Sequence, residues 1–233
     1  MPNRIWLCGD THMHSSISDG KYAPDELISK CKTKGLDWII ITDHNKNAVG
    51  DKSYYSENLL VIPGAEYTGR NGHMNIYGSG LPEFDGTRPE KYEQYLSMSA
   101  LAHSNGCTVS INHPFCSRFG WRMPLEDFPA DCVEIWNMFM HQSNMTCISW
   151  WERQILGGKS RQLAAATITA TTAHRICSLR RQHSSLPNQT AKKIFYQLCA
   201  AATRLSRTRP MRRGSFCHTR TAFRATKLNL PRE

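Results

Sequence analysis

The first 158 or so residues predict an α/β domain with parallel strands, and three observations carry that prediction. Short apolar runs alternate with helix-like stretches, the pattern of strands joined by crossover helices. Glycines stand where the helix-like stretches should stop. The apolar runs hand over to His, Glu or Asn-His at their C-terminal ends, which is where parallel α/β folds gather functional groups.

Taken in order, Ile5–Cys8 is the first expected strand, leading into GDTHMHSSISDG. Pro24-Asp25-Glu26 opens a helix through about Lys34, with proline and acids in the first turn and Gly35 as its stop. Leu36–Thr42 (LDWIIIT) reads as a buried second strand delivering Asp43-His44-Asn45. Leu59–Ile62 is a third, ending at Gly64-Ala65-Glu66, and His73–Tyr77 a fourth between glycines. A helix spans Pro89 to about Asn105, stopped by Gly106. Thr108–Ile111 is a fifth strand, ending at Asn112-His113-Pro114. Cys132–Ile135 is a sixth, ending at Trp136-Asn137, and a helix then runs from Asn144 to about Leu156.

Charge divides the chain. Residues 1–158 hold 13 basic and 18 acidic residues, whereas residues 159–233 hold 16 basic residues and a single acid, Glu233. The nine cysteines are odd in number, scattered and without a Cys-x-x-Cys, which points to reduced thiols in a cytoplasmic setting and against a disulfide framework or a zinc knuckle. No secretory leader and no membrane-length apolar run is evident. There is no G-x-S-x-G and no G-x-x-x-x-G-K, so neither an elbow serine nor a phosphate-cradling glycine loop competes for the chemistry.

What remains is a set of metal-ligand types at successive strand ends: His12, His14, Asp19, His44, Glu66, His73 and His113. Alternation along a strand puts both imidazoles of His12-x-His14 on one face. Five imidazoles and two carboxylates suit Zn, Mn or Fe rather than Ca or Cu(I). Seven ligands exceed the needs of one tetrahedral ion, so two or three divalent ions are expected, with Glu66 able to bridge two. Taken one at a time, each residue has an ordinary explanation as a turn former, an ion-pair partner or a strand-end cap.

DTHMHSSISDG, ITDHN, GAEYTG with GHMNIYG, and INHPF resemble the four leading motifs of the polymerase-and-histidinol-phosphatase (PHP) superfamily, in order and in spacing. VEIWN and the Trp150-Trp151 helix are more like its small stand-alone metallohydrolases. The resemblance covers roughly residues 4–158. It implies a distorted (β/α)7 TIM-like barrel, here incomplete at its C-terminal end. It also implies that His12, His14 and Glu66 bind a first metal, Glu66, His73 and His113 a second, and Asp19 and His44 a third. The family pattern adds a late Asp-x-His that completes the first and third sites, but no Asp follows Asp131 in this chain. Two sites are therefore expected to be one ligand short, and this form is expected to bind metal more weakly than an intact one or to be inactive.

Beyond Gly158 the alternation stops. Shifted by one reading frame, the codons of Leu163–Thr169 accommodate Gly-Gly-Ser-Asp-Tyr-His, the missing Asp-x-His in a glycine-led turn. Residues 159–233 accordingly read as a frameshift product or a disordered basic tail, and residues from about 163 onward are not expected to supply the last barrel strands. The leading functional expectation is a metal-dependent hydrolase, most simply a phosphoesterase using metal-bound hydroxide on a small phosphorylated or ester substrate. Glu66 and His113 would act at the reacting centre, and Arg118 and Arg122 would grip a phosphate. The expectation from another class is a nucleic-acid-binding protein acting through the basic segment.

Overall fold

The computed structural model describes residues 6–7, 9–137, 141–156, 166–169 and 223–224. It is a mixed α/β structure whose curled sheet runs β2 (Gly9–Met13), β3 (Trp38–Ile41), β5 (Leu59–Gly69), β6 (Gly72–Tyr77), β7 (Thr108–Ile111), β8 (Cys132–Asn137) and β9 (Ala166–Thr169) in spatial order. A short β4 (Tyr54–Ser56) lies antiparallel on β5, and β1 (Trp6–Leu7) pairs with β10 (Phe223–Arg224). The helices are α1 (Pro24–Thr33), α2 (Tyr92–Ser104) and α3 (His141–Leu156). No helix among the described residues is long and apolar enough to cross a membrane.

Both faces of the central strands are covered, as their unbroken apolar runs require. Along β3, Ile39 and Ile41 pack with Ile28 and Cys31 of α1 and with Leu59 and Val61 of β5. Trp38 and Ile40, on the opposite face, cluster with Leu60, Ile62 and Tyr77. The largest core cluster joins Tyr95 and Ala102 of α2 and Cys147 and Trp150 of α3 to Met74, Ile76, Val109, Ile111 and Val133 of the sheet. Helices thus line one surface of the curl, and the strand ends meet at the other extreme, where polar side chains collect.

Four features differ from the sequence expectation. First, β6 is antiparallel to both neighbours, β5 and β7. The β5–β6 link holds only Arg70 and Asn71 between paired Gly69 and Gly72, and a two-residue link can only reverse the chain. Gly72 takes φ +146°, a conformation open to glycine. Second, β5 extends to Gly69 rather than stopping at Ile62, so Glu66 lies inside a strand. Third, the strand carrying His12 is Gly9–Met13, later than the apolar run suggests, because its own residues are polar yet buried. Fourth, β9 continues the sheet parallel to β8. Residues 166–169 therefore do form a strand, in keeping with the β-branched Thr-Ile-Thr they contain. Apart from β9 and β10, the segment read as a frameshift product lies outside the described residues.

One carboxylate ties the first loop to the sheet. Asp43 is fully buried just beyond β3. It accepts from the backbone N–H of Ser15 at 2.8 Å, from Ser15 Oγ at 2.6 Å and from Ser18 Oγ. Asp43→Ala should lower stability by about 3 kcal/mol, the scale of a hydrogen bond to a charged group together with the orphaned donors. Urea denaturation measures this, and a loss below about 1 kcal/mol would mean that the Ser15–Ser18 turn is held by other contacts.

Candidate metal centre

The site is built around Glu66, 1% exposed in the middle of β5. Five imidazoles surround its carboxylate. His44 Nδ1 lies 2.8 Å away, His73 Nδ1 3.1 Å, His12 Nε2 3.4 Å, and the Nε2 atoms of His14 and His113 each 3.5 Å. The rings also neighbour one another in a closed circuit. Centroid separations are 5.2 Å for His12–His14, 4.5 Å for His14–His44, 5.7 Å for His44–His73, 5.1 Å for His73–His113 and 5.9 Å for His113–His12.

Each imidazole arrives by its own element. His12 is in β2 and His14 just past its end. His44, beyond β3, forms a parallel bridge with Glu66. His73 pairs with Thr68 across the β5–β6 hairpin, diagonal to Glu66 on the same face. His113 follows β7 with φ +27°, a left-handed conformation that costs a non-glycine residue strain. Asp19 stands at the mouth with its side chain 67% exposed, 3.4 Å from His14 Nδ1 and 3.5 Å from His44 Nε2. All seven expected ligands line one cleft, as do Arg118 and Arg122, which are exposed at its rim.

The tightest donor sets are His12, Glu66 and His113, and His14, His44 and Glu66, each with ligand atoms within 4.8 Å of one another. Glu66 is common to both, as a bridging carboxylate would be. These sets cut across the partition the resemblance implied: His14 groups with His44 rather than with His12, and His113 with His12 rather than with His73.

Several partners were missed from the sequence. Asn112 Nδ2 donates to Glu66 Oε1 at 2.8 Å. Thr68 Oγ1 lies 2.6 Å from His44 Nδ1, and Asn45 holds Thr68 through two backbone bonds of 2.9 and 3.0 Å. Glu134, 1% exposed in β8, lies 3.1 Å from His12 Nδ1. An acid between the apolar residues Val133 and Ile135 was the available signal for Glu134.

Two observations fit a cation. His113 Nδ1 is buried with no hydrogen-bond partner among the described residues. No Lys or Arg touches Glu66 among the described residues, so imidazoles and the Asn112 amide face its charge. Burial would push the Glu66 carboxyl up, but His12, His113 and His44 overcome this and hold it well below the usual carboxylate range. Burial takes His14 down to about 4 and lowers His73, which keeps both neutral, as ligands must be. His12 moves the other way: burial opposes its charge, but Glu134 and Glu66 outweigh burial and raise it well above 6.5.

Residues 10–113 match the PHP domain model. Over 103 residues the chain is 27% identical to a 5'-3' exoribonuclease of Haemophilus influenzae, covering 43% of this chain and 37% of that one. Over 61 residues it is 38% identical to a protein of Caldicellulosiruptor saccharolyticus described as a probable phosphatase, covering 25% and 26% respectively. The chain thus spans 37% and 26% of the length of these two relatives. Among solved structures, a two-domain protein of Bacteroides vulgatus containing a predicted PHP-like metal-dependent phosphoesterase superposes with a TM-score of 0.45 at 22% identity, covering 63% of this chain and 49% of that one.

Because His12 is protonated below its raised pKa and must be neutral to ligate, a cation has to displace its proton. Burial opposes the charge of His44 too, but Glu66 and Asp19 outweigh it and raise its pKa, so affinity for Mn(II) or Zn(II) should rise with pH, by up to about tenfold per unit for each of the two that stays protonated. Competition titrations between pH 5.5 and 8 test this, and a pH-independent affinity would exclude His12 as a ligand.

Proposed function

We propose that this chain is a metal-dependent hydrolase acting on phosphoesters, with a small phosphorylated substrate bound in the cleft over Glu66. The observation that carries the reading is one buried carboxylate shared by two sets of imidazoles. In this reading His12, Glu66 and His113 would hold one divalent cation and His14, Glu66 and His44 a second. His73 stands beside Glu66, and Asp19 stands at the mouth beside His14 and His44. The N/O donor set suits Mn, Zn or Fe. The chemistry that such cations supply is Lewis acidity, which acidifies water towards neutral pH and offsets charge on the ester oxygens.

The chain's own residues do the rest. Glu66 stays ionised between the two sets of imidazoles, and Asn112 fixes its orientation. His113 presents its ring beside Glu66 from a strained backbone. Arg118 and Arg122 offer guanidinium forks at the rim, suited to phosphate oxygens in a way a lysine is not. Phe119 lies between this rim and the cluster: the Arg118 guanidinium is 5.0 Å from its ring centroid, and the His73 ring 5.8 Å. The curled sheet, with β9 beside β8, supports a (β/α)7-type barrel as the full architecture. Free Cys31, Cys107, Cys116, Cys132 and Cys147 support a reducing, cytoplasmic setting.

The second reading keeps the chemistry and changes the substrate to a nucleic-acid phosphodiester. It draws on the basic composition of residues 159–233 and on the exoribonuclease activity named for the Haemophilus relative. Assays with p-nitrophenyl phosphate, bis-p-nitrophenyl phosphate, a single-stranded oligonucleotide and a carboxyl ester separate these readings. The metal-loaded chain should cleave at least one phosphoester, and Glu66→Gln should reduce the rate more than about a hundredfold, beyond what loss of an orienting partner costs. Turnover of the carboxyl ester alone, or a Glu66→Gln variant as active as wild type, would overturn the proposal.

A further inference from the structure

One buried acid at the centre stands outside both converging donor sets. Glu134 is fixed in β8, whose end is clamped by Asn144 of α3: Asn144 Oδ1 accepts from the Asn137 backbone N–H at 2.8 Å, and its Nδ2 donates to the Asn137 carbonyl at 2.7 Å. Asn137 Nδ2 in turn donates to Glu134 Oε1 at 3.3 Å. The Glu134 carboxylate addresses both histidines of one set by different routes. Its Oε1 lies 3.1 Å from His12 Nδ1, and its Oε2 accepts the backbone N–H of His113 at 2.9 Å. On the other side of the His12 ring, Nε2 lies 3.4 Å from Glu66 Oε1.

We infer that Glu134 is the positioning residue of the His12–Glu66–His113 set, fixing which nitrogen of His12 is offered to a cation and holding His113 in its left-handed backbone. The inference rests on the metal-centre reading above. An ionised carboxylate only accepts hydrogen bonds, and a neutral imidazole has one N–H and one lone pair. With Glu134 against Nδ1, the proton sits on Nδ1 and the lone pair on Nε2, which faces Glu66. The other oxygen secures His113 where its backbone would otherwise relax from φ +27°. Glu134 is not itself a ligand of this set, because its oxygens face N–H donors on the side of His12 away from Glu66.

Glu134→Gln preserves shape but replaces one acceptor oxygen with an NH2 group. That group must face either His12 Nδ1, forcing the proton to Nε2 and blocking ligation, or the His113 N–H, where two donors meet. Cobalt(II) titration of the full chain, followed by its absorption spectrum, reads both affinity and coordination. Wild type should bind, and Glu134→Gln should bind roughly 10–100-fold more weakly with an altered spectrum, while melting of the metal-free protein stays close to wild type. Wild type failing to bind cobalt would overturn the metal-centre reading itself. Wild type binding and Glu134→Gln matching it in affinity and spectrum would overturn this inference alone. If the variant does not fold, histidine 15N spectra of the zinc-loaded wild type decide: a proton on His12 Nδ1 supports the inference, and Nδ1 bound to metal overturns it.

Discussion

A single ionised carboxylate in the middle of a strand constrains the rest of this structure. Burying a charge of that size costs several kcal/mol even after relaxation, and Glu66 is 1% exposed. It persists because five imidazoles and an asparagine amide surround it at 2.8–3.5 Å. To assemble that shell the chain must bring β2, β3, β5, β6 and β7 to one point. The two-residue hairpin follows from the same need, since it returns His73 to the side of Glu66 after only six intervening residues. A cation on either side of the carboxylate would replace imidazole N–H contacts with coordination, relieving a site otherwise held by histidines and one amide.

A second tier of buried polar groups holds the histidines in place. Asp43 fixes the turn before Asp19, Thr68 and Asn45 fix His44, and Glu134 braces His12 and His113. These groups are themselves buried, where a hydrogen bond left unmade is costly. The two tiers are therefore coupled: loosening one orienting group leaves both its donor and a candidate ligand unsettled. The helices contribute at a distance, covering the outer surface of the sheet so that the strand ends need not carry the hydrophobic core.

The candidate ligands were legible because their residue types recur at strand ends, and a strand's apolar run is a local signal. The direction of β6 was not legible, because the two-residue link that forces its reversal appears only once β5 is seen to reach Gly69. The extent of β5 was hidden because Gly64 to Gly69 contain glycine, glutamate and threonine, which weaken an apolar count while still pairing in the ladder. Glu134 and Asn112 were invisible as partners because their roles depend on residues 122 and 46 positions away. The basic composition after residue 158 did not reveal that Ala166–Thr169 would join the sheet beside β8.

In the proposed centre Glu66 is shared between two cation sites. Anomalous diffraction from crystals of the chain soaked in manganese(II) tests it most directly. The account predicts two manganese peaks about 3.5–4 Å apart, with Glu66 between them, one adjoining His12 and His113 and the other His14 and His44. Manganese bound elsewhere in the cleft with no peak in contact with Glu66, or a single peak that leaves either pair of histidines unligated, would contradict it.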